Sequence, residues 1–212
     1  YSTVSQLSYI TLGAALATKE SVIGGGMHIA MHAVGKITLF FCAGAIYVAT
    51  HKKNISEMRG LGRAMPFTFA AFFIAAISII GLPPGGGAWS KWFLALGTVQ
   101  RAGESPQTMH MYLLTATLMI SSLLNIAYLI PIPILAFMKA PKDEGLGKLL
   151  DHRHVDHGHA GHGHGAHDAG SGIHEAPLMC VVPLCITATG SVALFFYADW
   201  IYEALLPITN AR

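Results

Sequence analysis

The chain has 212 residues, of which 53% are hydrophobic and only 11% charged, with a formal net charge of +2. A charged share less than half the usual one leaves too little polar surface to face water on every side, so lipid is the implied solvent. The small net charge gives no general attraction to nucleic acid.

Crossing a bilayer core takes about 20 mainly apolar residues. Residues 1–18 are the first predicted span. Tyr1 opens inside a helical pattern with no cap before it, so the chain is expected to be a piece of a longer one. Lys19, Glu20 and a turn at Gly24-Gly25-Gly26 are predicted to close this span. The second span is 27–50, ended by the basic loop 51–63. The third is 66–82, ended by Pro83-Pro84. The fourth, 85–100, is short for a crossing. The fifth, 109–138, is long, and Pro131 and Pro133 should kink or stop it. The sixth is 177–206. Between the last two, residues 139–176 alternate Gly and His with few large apolar residues, which predicts a flexible loop. The expected fold is all-α: a polytopic transmembrane bundle of about six helices. Its parts are residues 1–138, the loop 139–176 and a final span within 177–212.

Two lysines stand where lipid penalises charge, at about 2.5–3.5 kcal/mol each at the centre of a spanning helix. Lys36 lies inside the second span. His32 and His28 precede it at steps of four, so the three share one helical face about 6 Å apart per step. Such a row can pass a proton through short water bridges. The plainer alternative has Lys36 snorkelling to an interface while the histidines pack. A zinc site at His28 and His32 lacks the glutamate of an HExxH helix and any third ligand nearby.

Lys91 follows Pro83-Pro84-Gly85-Gly86-Gly87 and lies between Trp89 and Trp92. That pattern fits an interfacial anchor. It fits equally a discontinuous helix whose break frees backbone carbonyls beside a charge, as transporters build ion sites. Ser121, Ser122, Asn125 and Tyr128 form a polar stretch suited to helix–helix hydrogen bonds or to lining a water path. Asp199 and Glu203, one helical step apart, read as interfacial and exposed.

The loop carries His152, His154, His157, His159, His162, His164, His167 and His174, with Asp151, Asp156 and Asp168 among them. A solvated loop is the plain reading; zinc or nickel binding is the chemical alternative. Cys42, Cys180 and Cys185 lie in apolar stretches without metal-ligand spacing and read as buried free thiols. No phosphate-cradling loop, Ser-His-Asp set or paired buried carboxylates is present, so the chain shows no catalytic residues and calls for no cofactor.

The run His28-Ile-Ala-Met-His32-Ala-Val-Gly-Lys36-Ile-Thr-Leu-Phe resembles the His-x3-His-x3-Lys helix of the antiporter-like subunits, the large membrane subunits of respiratory complex I and of the multisubunit Mrp sodium/proton antiporters. Tyr1-Ser-Thr-Val-Ser-Gln-Leu-Ser-Tyr9 resembles the preceding helix. Gly81-Leu-Pro-Pro-Gly-Gly-Gly-Ala-Trp-Ser-Lys91-Trp resembles the Gly-x-Pro-Pro-x-x-Gly-Phe-x-Ser-Lys segment, with Ala88 where Phe is usual. Ser121-Ser-Leu-Leu-Asn-Ile-Ala-Tyr-Leu-Ile-Pro131 resembles the helix after it. The loop Ile55-Ser-Glu-Met-Arg-Gly-Leu-Gly-Arg63 looks closer to the D-type member of the Mrp group than to the complex I subunits.

The resemblance implies that this piece is the second of two inverted five-helix repeats plus the last helix, with a discontinuous helix. It also implies that Lys36, His32, His28 and Lys91 form a proton relay, with Lys91 at the break. The expected function is proton and monovalent cation translocation as one subunit of a multisubunit Na+/H+ antiporter. The alternative is a proton-pumping subunit of a complex I-like quinone oxidoreductase. Expected partners are the other subunits, the bilayer, H+ and Na+. The expected location is the plasma membrane of a prokaryote, crossed many times.

Overall fold

The computed structural model describes residues 2–104, 108–138 and 175–210. The described residues form helices and connecting loops. The helices are α1 (Ser2–Leu16), α2 (Lys19–Thr50), α3 (Leu61–Ala64), α4 (Pro66–Ile80), α5 (Gly87–Glu104), α6 (Thr108–Leu129), α7 (Pro131–Met138), α8 (Leu178–Phe196) and α9 (Ala198–Asn210). Three stretches are long and apolar enough to cross a membrane: Lys19–Thr50, Met109–Met138 and Leu178–Phe196. The all-α, multi-pass architecture expected from the sequence is the one observed.

The central element is α2. Its 32 residues reach about 48 Å, well beyond a hydrocarbon core of about 30 Å. It packs against α1, α4, α5, α8 and α9. Its start corrects the predicted turn at Gly24-Gly25-Gly26, which lies inside the helix. The Thr18 side chain accepts from the Ser21 amide at 3.2 Å, and the Thr18 amide donates to Ser21 Oγ at 3.1 Å. This reciprocal cap satisfies two amide donors at the helix start and begins α2 at Lys19. The glycines that follow are a contact surface. A Cβ on Gly24 would sit 2.7 Å from the Leu94 amide of α5. Tertiary contact thus outweighs the turn preference of the glycine run.

The remaining boundaries follow from similar local causes. α6 and α7 divide at Ile130, because Pro131 has no amide to continue the ladder. The span predicted over 177–206 is two helices. The Tyr197 amide closes the last turn of α8 on Ala193 O at 2.9 Å. From there α9 lies against α2 and α5, with Tyr202 stacked on Phe93 at 5.4 Å between ring centroids. Asp199 and Glu203 are exposed on its other side. The fourth predicted span begins at Gly87 and runs on to Glu104.

Two apolar clusters hold the bundle. One joins Cys42 and Ile46 of α2 to Phe69, Phe72 and Ile79 of α4 and to Leu184 of α8. The other joins Ile23, Met27 and Met31 of α2 to Ala198 of α9. Cys42 is buried, whereas Cys180 and Cys185 are half-buried, because α8 turns only one side to the core; all three are free thiols. A polar tie adds to these clusters at the start of α4. Pro66 occupies the first turn, where its missing amide costs nothing. The Glu175 carboxylate accepts from the Phe67 amide at 2.7 Å and from Thr68 Oγ1 at 2.7 Å. An anion at a helix N-terminus satisfies free amides and complements the helix dipole.

Close packing of α2 on α5 makes a testable contrast. A Cβ on Gly97 would meet Ser21 Cβ at 2.6 Å, whereas one on Gly44 meets nothing within 4 Å. Gly97→Val is expected to destabilise the protein by about 1–3 kcal/mol. Gly44→Ala should be neutral or stabilise by up to about 1 kcal/mol. Thermal unfolding in detergent measures both, and equal effects would contradict the packing described.

Candidate functional site

Four-residue spacing on α2 puts His28, His32 and Lys36 on one face. The His28 and His32 rings stack at 5.8 Å between centroids with planes 9° apart. His28 is buried to 2% exposure. Its Nδ1 lies 2.9 Å from Ser90 Oγ on α5, and its Nε2 lies 3.2 Å from Gln6 Oε1 on α1. His32 is also buried, and its Nδ1 has no hydrogen-bond partner among the described residues. Lys36 is half-buried near the middle of α2. Buried polar groups left unpaired are costly, and this orphan imidazole nitrogen lies on the row itself.

The second part of the site is the break between α4 and α5. Gly81 has φ of 90°, a left-handed conformation that L side chains rarely adopt. Its amide closes the last turn on Ile77 O at 3.0 Å. The last two carbonyls of α4, of Ile79 and Ile80, would ordinarily accept from the residues four further on. Those residues are Pro83 and Pro84, which carry no N–H. Lys91 Nζ takes their place, donating to Ile79 O at 3.0 Å and to Ile80 O at 2.8 Å. Lys91 is only 5% exposed, so it is not an interfacial anchor. The flanking tryptophans do face outward. Trp89 is 38% exposed and Trp92 59%. Of the two readings the sequence left open at Lys91, the structure selects the break.

Tyr9 joins the two parts. The Lys91 ammonium stands 5.2 Å from its ring centroid, a cation–π contact. The His28 ring meets the same ring edge-on at 5.4 Å. The Tyr9 hydroxyl donates to Ser121 Oγ at 2.6 Å, which carries the polar row on to α6.

The four polar residues singled out on α6 all turn up near α1 or in the interior. Besides Ser121, Asn125 is buried and its Oδ1 accepts from the Tyr128 hydroxyl. Tyr128 is also 2.7 Å from Ser2 Oγ, although its ring is largely exposed. Ser122 Oγ and Asn125 Nδ2 are buried without a partner among the described residues. Helix–helix hydrogen bonding therefore accounts for Ser121 and Tyr128, which meet Tyr9 and Ser2 of α1, whereas the bond to Asn125 stays within α6. The candidate loop ligands His152, His154, His157, His159, His162, His164 and His167, and His174, lie outside the described residues.

Gln6, Tyr9, Ser90 and Glu175 were not singled out by sequence reasoning. Each earns its place through a partner far along the chain: Gln6 and Ser90 meet His28 across 22 and 62 residues, and Glu175 meets Thr68 across 107. One local signal was available. Gln6 and Tyr9 are three residues apart and share a face of α1, where they are among its few buried side chains.

Comparison with known proteins identifies the family. Residues 1–124 match the family described as NADH:quinone oxidoreductase/Mrp antiporter, transmembrane. The chain is 37% identical over 145 residues to an NADH-quinone oxidoreductase subunit, of the N type, from Desulforudis audaxviator, covering 68% of the chain and 27% of that protein. It is 36% identical over 96 residues to a Na(+)/H(+) antiporter subunit, of the D type, from Alkalihalophilus pseudofirmus, covering 45% of the chain and 20% of that protein. In fold it is similar to a chain in the structure of the Mrp complex from Dietzia sp., with a TM-score of 0.70 and 24% identity, over 99% of this chain and 42% of that one. The class is that of multi-pass membrane proteins built on the antiporter-like helix bundle. The chain belongs to the NADH:quinone oxidoreductase/Mrp antiporter transmembrane family, and it spans 27% and 20% of the length of these two curated relatives.

The lysine clamp is directly testable. Lys91→Met leaves two buried carbonyls unpaired, which should cost about 2–4 kcal/mol. It should also raise amide exchange across residues 85–88, read by hydrogen-exchange mass spectrometry. Unchanged exchange there would show that Lys91 does not hold the break.

Proposed function

We propose that this chain is part of an ion-translocating membrane subunit, moving protons and monovalent cations as one member of a multisubunit Na+/H+ antiporter. The observation that carries the reading is the row from half-buried Lys36 through buried His32 and His28, joined to buried Lys91 by the Tyr9 ring. Protons pass along this row between water molecules, and each lysine changes partner or protonation during the cycle. No bond is made or broken in an organic substrate, so the subunit itself is a transporter and not a catalyst. Residues 1–138 supply the second repeat of the subunit, and α8 within 177–212 its last membrane segment. The other subunits of the complex are its partners, and the plasma membrane of a prokaryote is its location.

A second reading, a proton-pumping subunit of a quinone-linked respiratory complex, is favoured by one observation. The 145-residue match is to an NADH-quinone oxidoreductase subunit and is longer than the 96-residue match to the antiporter subunit. It would use the same row, driven by redox chemistry in other subunits. Co-purifying iron–sulfur subunits separate the two readings.

Lys36 decides whether the row transports. Sodium-dependent proton flux in inverted vesicles carrying the complex is expected to be lost in Lys36→Ala with assembly unchanged. Wild-type flux in a well-assembled variant would refute the relay.

A further inference from the structure

The contacts around His28 can be counted hydrogen by hydrogen. Ser90 has one hydroxyl hydrogen, and Ser90 Oγ donates it to Gly87 O at 3.0 Å. Ser90 can therefore only accept from His28, which requires a hydrogen on Nδ1. The Gln6 Oε1 atom that faces Nε2 can also only accept, which requires a hydrogen there too. With the Gln6 amide turned this way the contacts suit a doubly protonated imidazolium, and three hydrogen bonds are made.

A neutral imidazole has one N–H, so one partner must change. If the Ser90 hydroxyl turns to Nδ1, its bond to Gly87 is lost and two bonds remain. If the Gln6 amide turns over, its NH2 donates to the bared Nε2 and all three survive. Gln6 is fully buried, and its Nε2 has no partner among the described residues in the present orientation. Turning over supplies that missing partner and leaves an oxygen unpaired in its place, the less costly orphan.

We propose that Gln6 is a proton-coupled positioning residue: its side-chain amide turns over each time His28 takes up or releases a proton. The inference rests on the relay reading above. In the release step the Nε2–H bond of His28 breaks and an N–H bond forms on His32, with water carrying the proton between them. The amide of Gln6 then donates to His28 Nε2 and holds it neutral until the next proton arrives. The charged and titratable groups facing His28 are Lys91 from α5, Tyr9 from α1 and His32 on its own helix. Lys91 and His28 both contact the Tyr9 ring, so two positive charges there repel. A Gln6 that has turned over favours the neutral imidazole and thereby the charged Lys91.

The test uses the complex as isolated from membranes, with flux read against pH. Gln6→Glu keeps the length of the side chain but can only accept when ionised. It should lower flux about tenfold, within the range a positioned proton-transfer group contributes. It should also move the pH profile toward alkaline pH, because a proton held between imidazole and carboxylate leaves only at lower proton concentration. Gln6→Met, which neither donates nor accepts, should lower flux without that alkaline displacement. A wild-type pH profile in Gln6→Glu overturns the switch. Infrared difference spectra between the acid and alkaline forms of the wild-type complex, with labelled glutamine, need no variant to fold. A shift of a glutamine carbonyl band is expected, and its absence also overturns the switch. Lys36→Ala in parallel separates the two proposals. If it keeps full flux, the relay falls and the switch with it; if it abolishes flux while Gln6→Glu behaves as wild type, the switch alone falls.

Discussion

The bond pair from Lys91 Nζ to the carbonyls of Ile79 and Ile80 is the constraint around which the interior is arranged. Pro83 and Pro84 remove the two amides that would have served those carbonyls, and no water of a lipid phase replaces them. A buried lysine is itself costly in such a place. Each problem is the other's solution: the ammonium finds two oriented dipoles, and the dipoles find a donor. The C-terminal end of α4 also carries partial negative charge, which favours a cation there. Gly81 lets the chain leave the helix at this point, and a Cβ on it would press on Lys91 Cδ at 2.8 Å.

From this clamp the remaining geometry follows in order. Fixing Lys91 sets the first turns of α5, which places Ser90 on the His28 ring. The ammonium also sits over Tyr9, which joins α1 and α6 to the same centre. Close glycine contacts at Gly24 and Gly97 bring α5 near enough to α2 for these bonds to form. The polar centre therefore draws on α1, α2, α4, α5 and α6, and apolar packing outside it supplies the framework. One aromatic ring touches both Lys91 and His28, so the break and the histidine share a neighbour.

A family resemblance was visible because the motifs are local: His28, His32 and Lys36 repeat at helical spacing, and Pro83-Pro84 with three glycines can only interrupt a helix. The errors were also local in origin. A Gly24-Gly25-Gly26 run has the composition of a turn, and only the cap at Thr18 and the approach of α5 make it helix interior. The apolar run over 177–206 gives no sign of its division at Tyr197, which depends on α9 docking against Phe93 and Met27.

Sequence alone determined the solvent, the helical class and the row of basic residues, because composition and a four-residue period depend only on neighbours along the chain. It also marked the break, because proline lacks an amide wherever it stands. Tertiary structure decided what the charges do there. Whether Lys91 faced lipid or two bare carbonyls, and whether His28 met Gln6 and Ser90, depended on helices brought together across up to 62 residues. Hydrogen bonds of that range are set by packing between helix faces, which spacing within one helix does not encode.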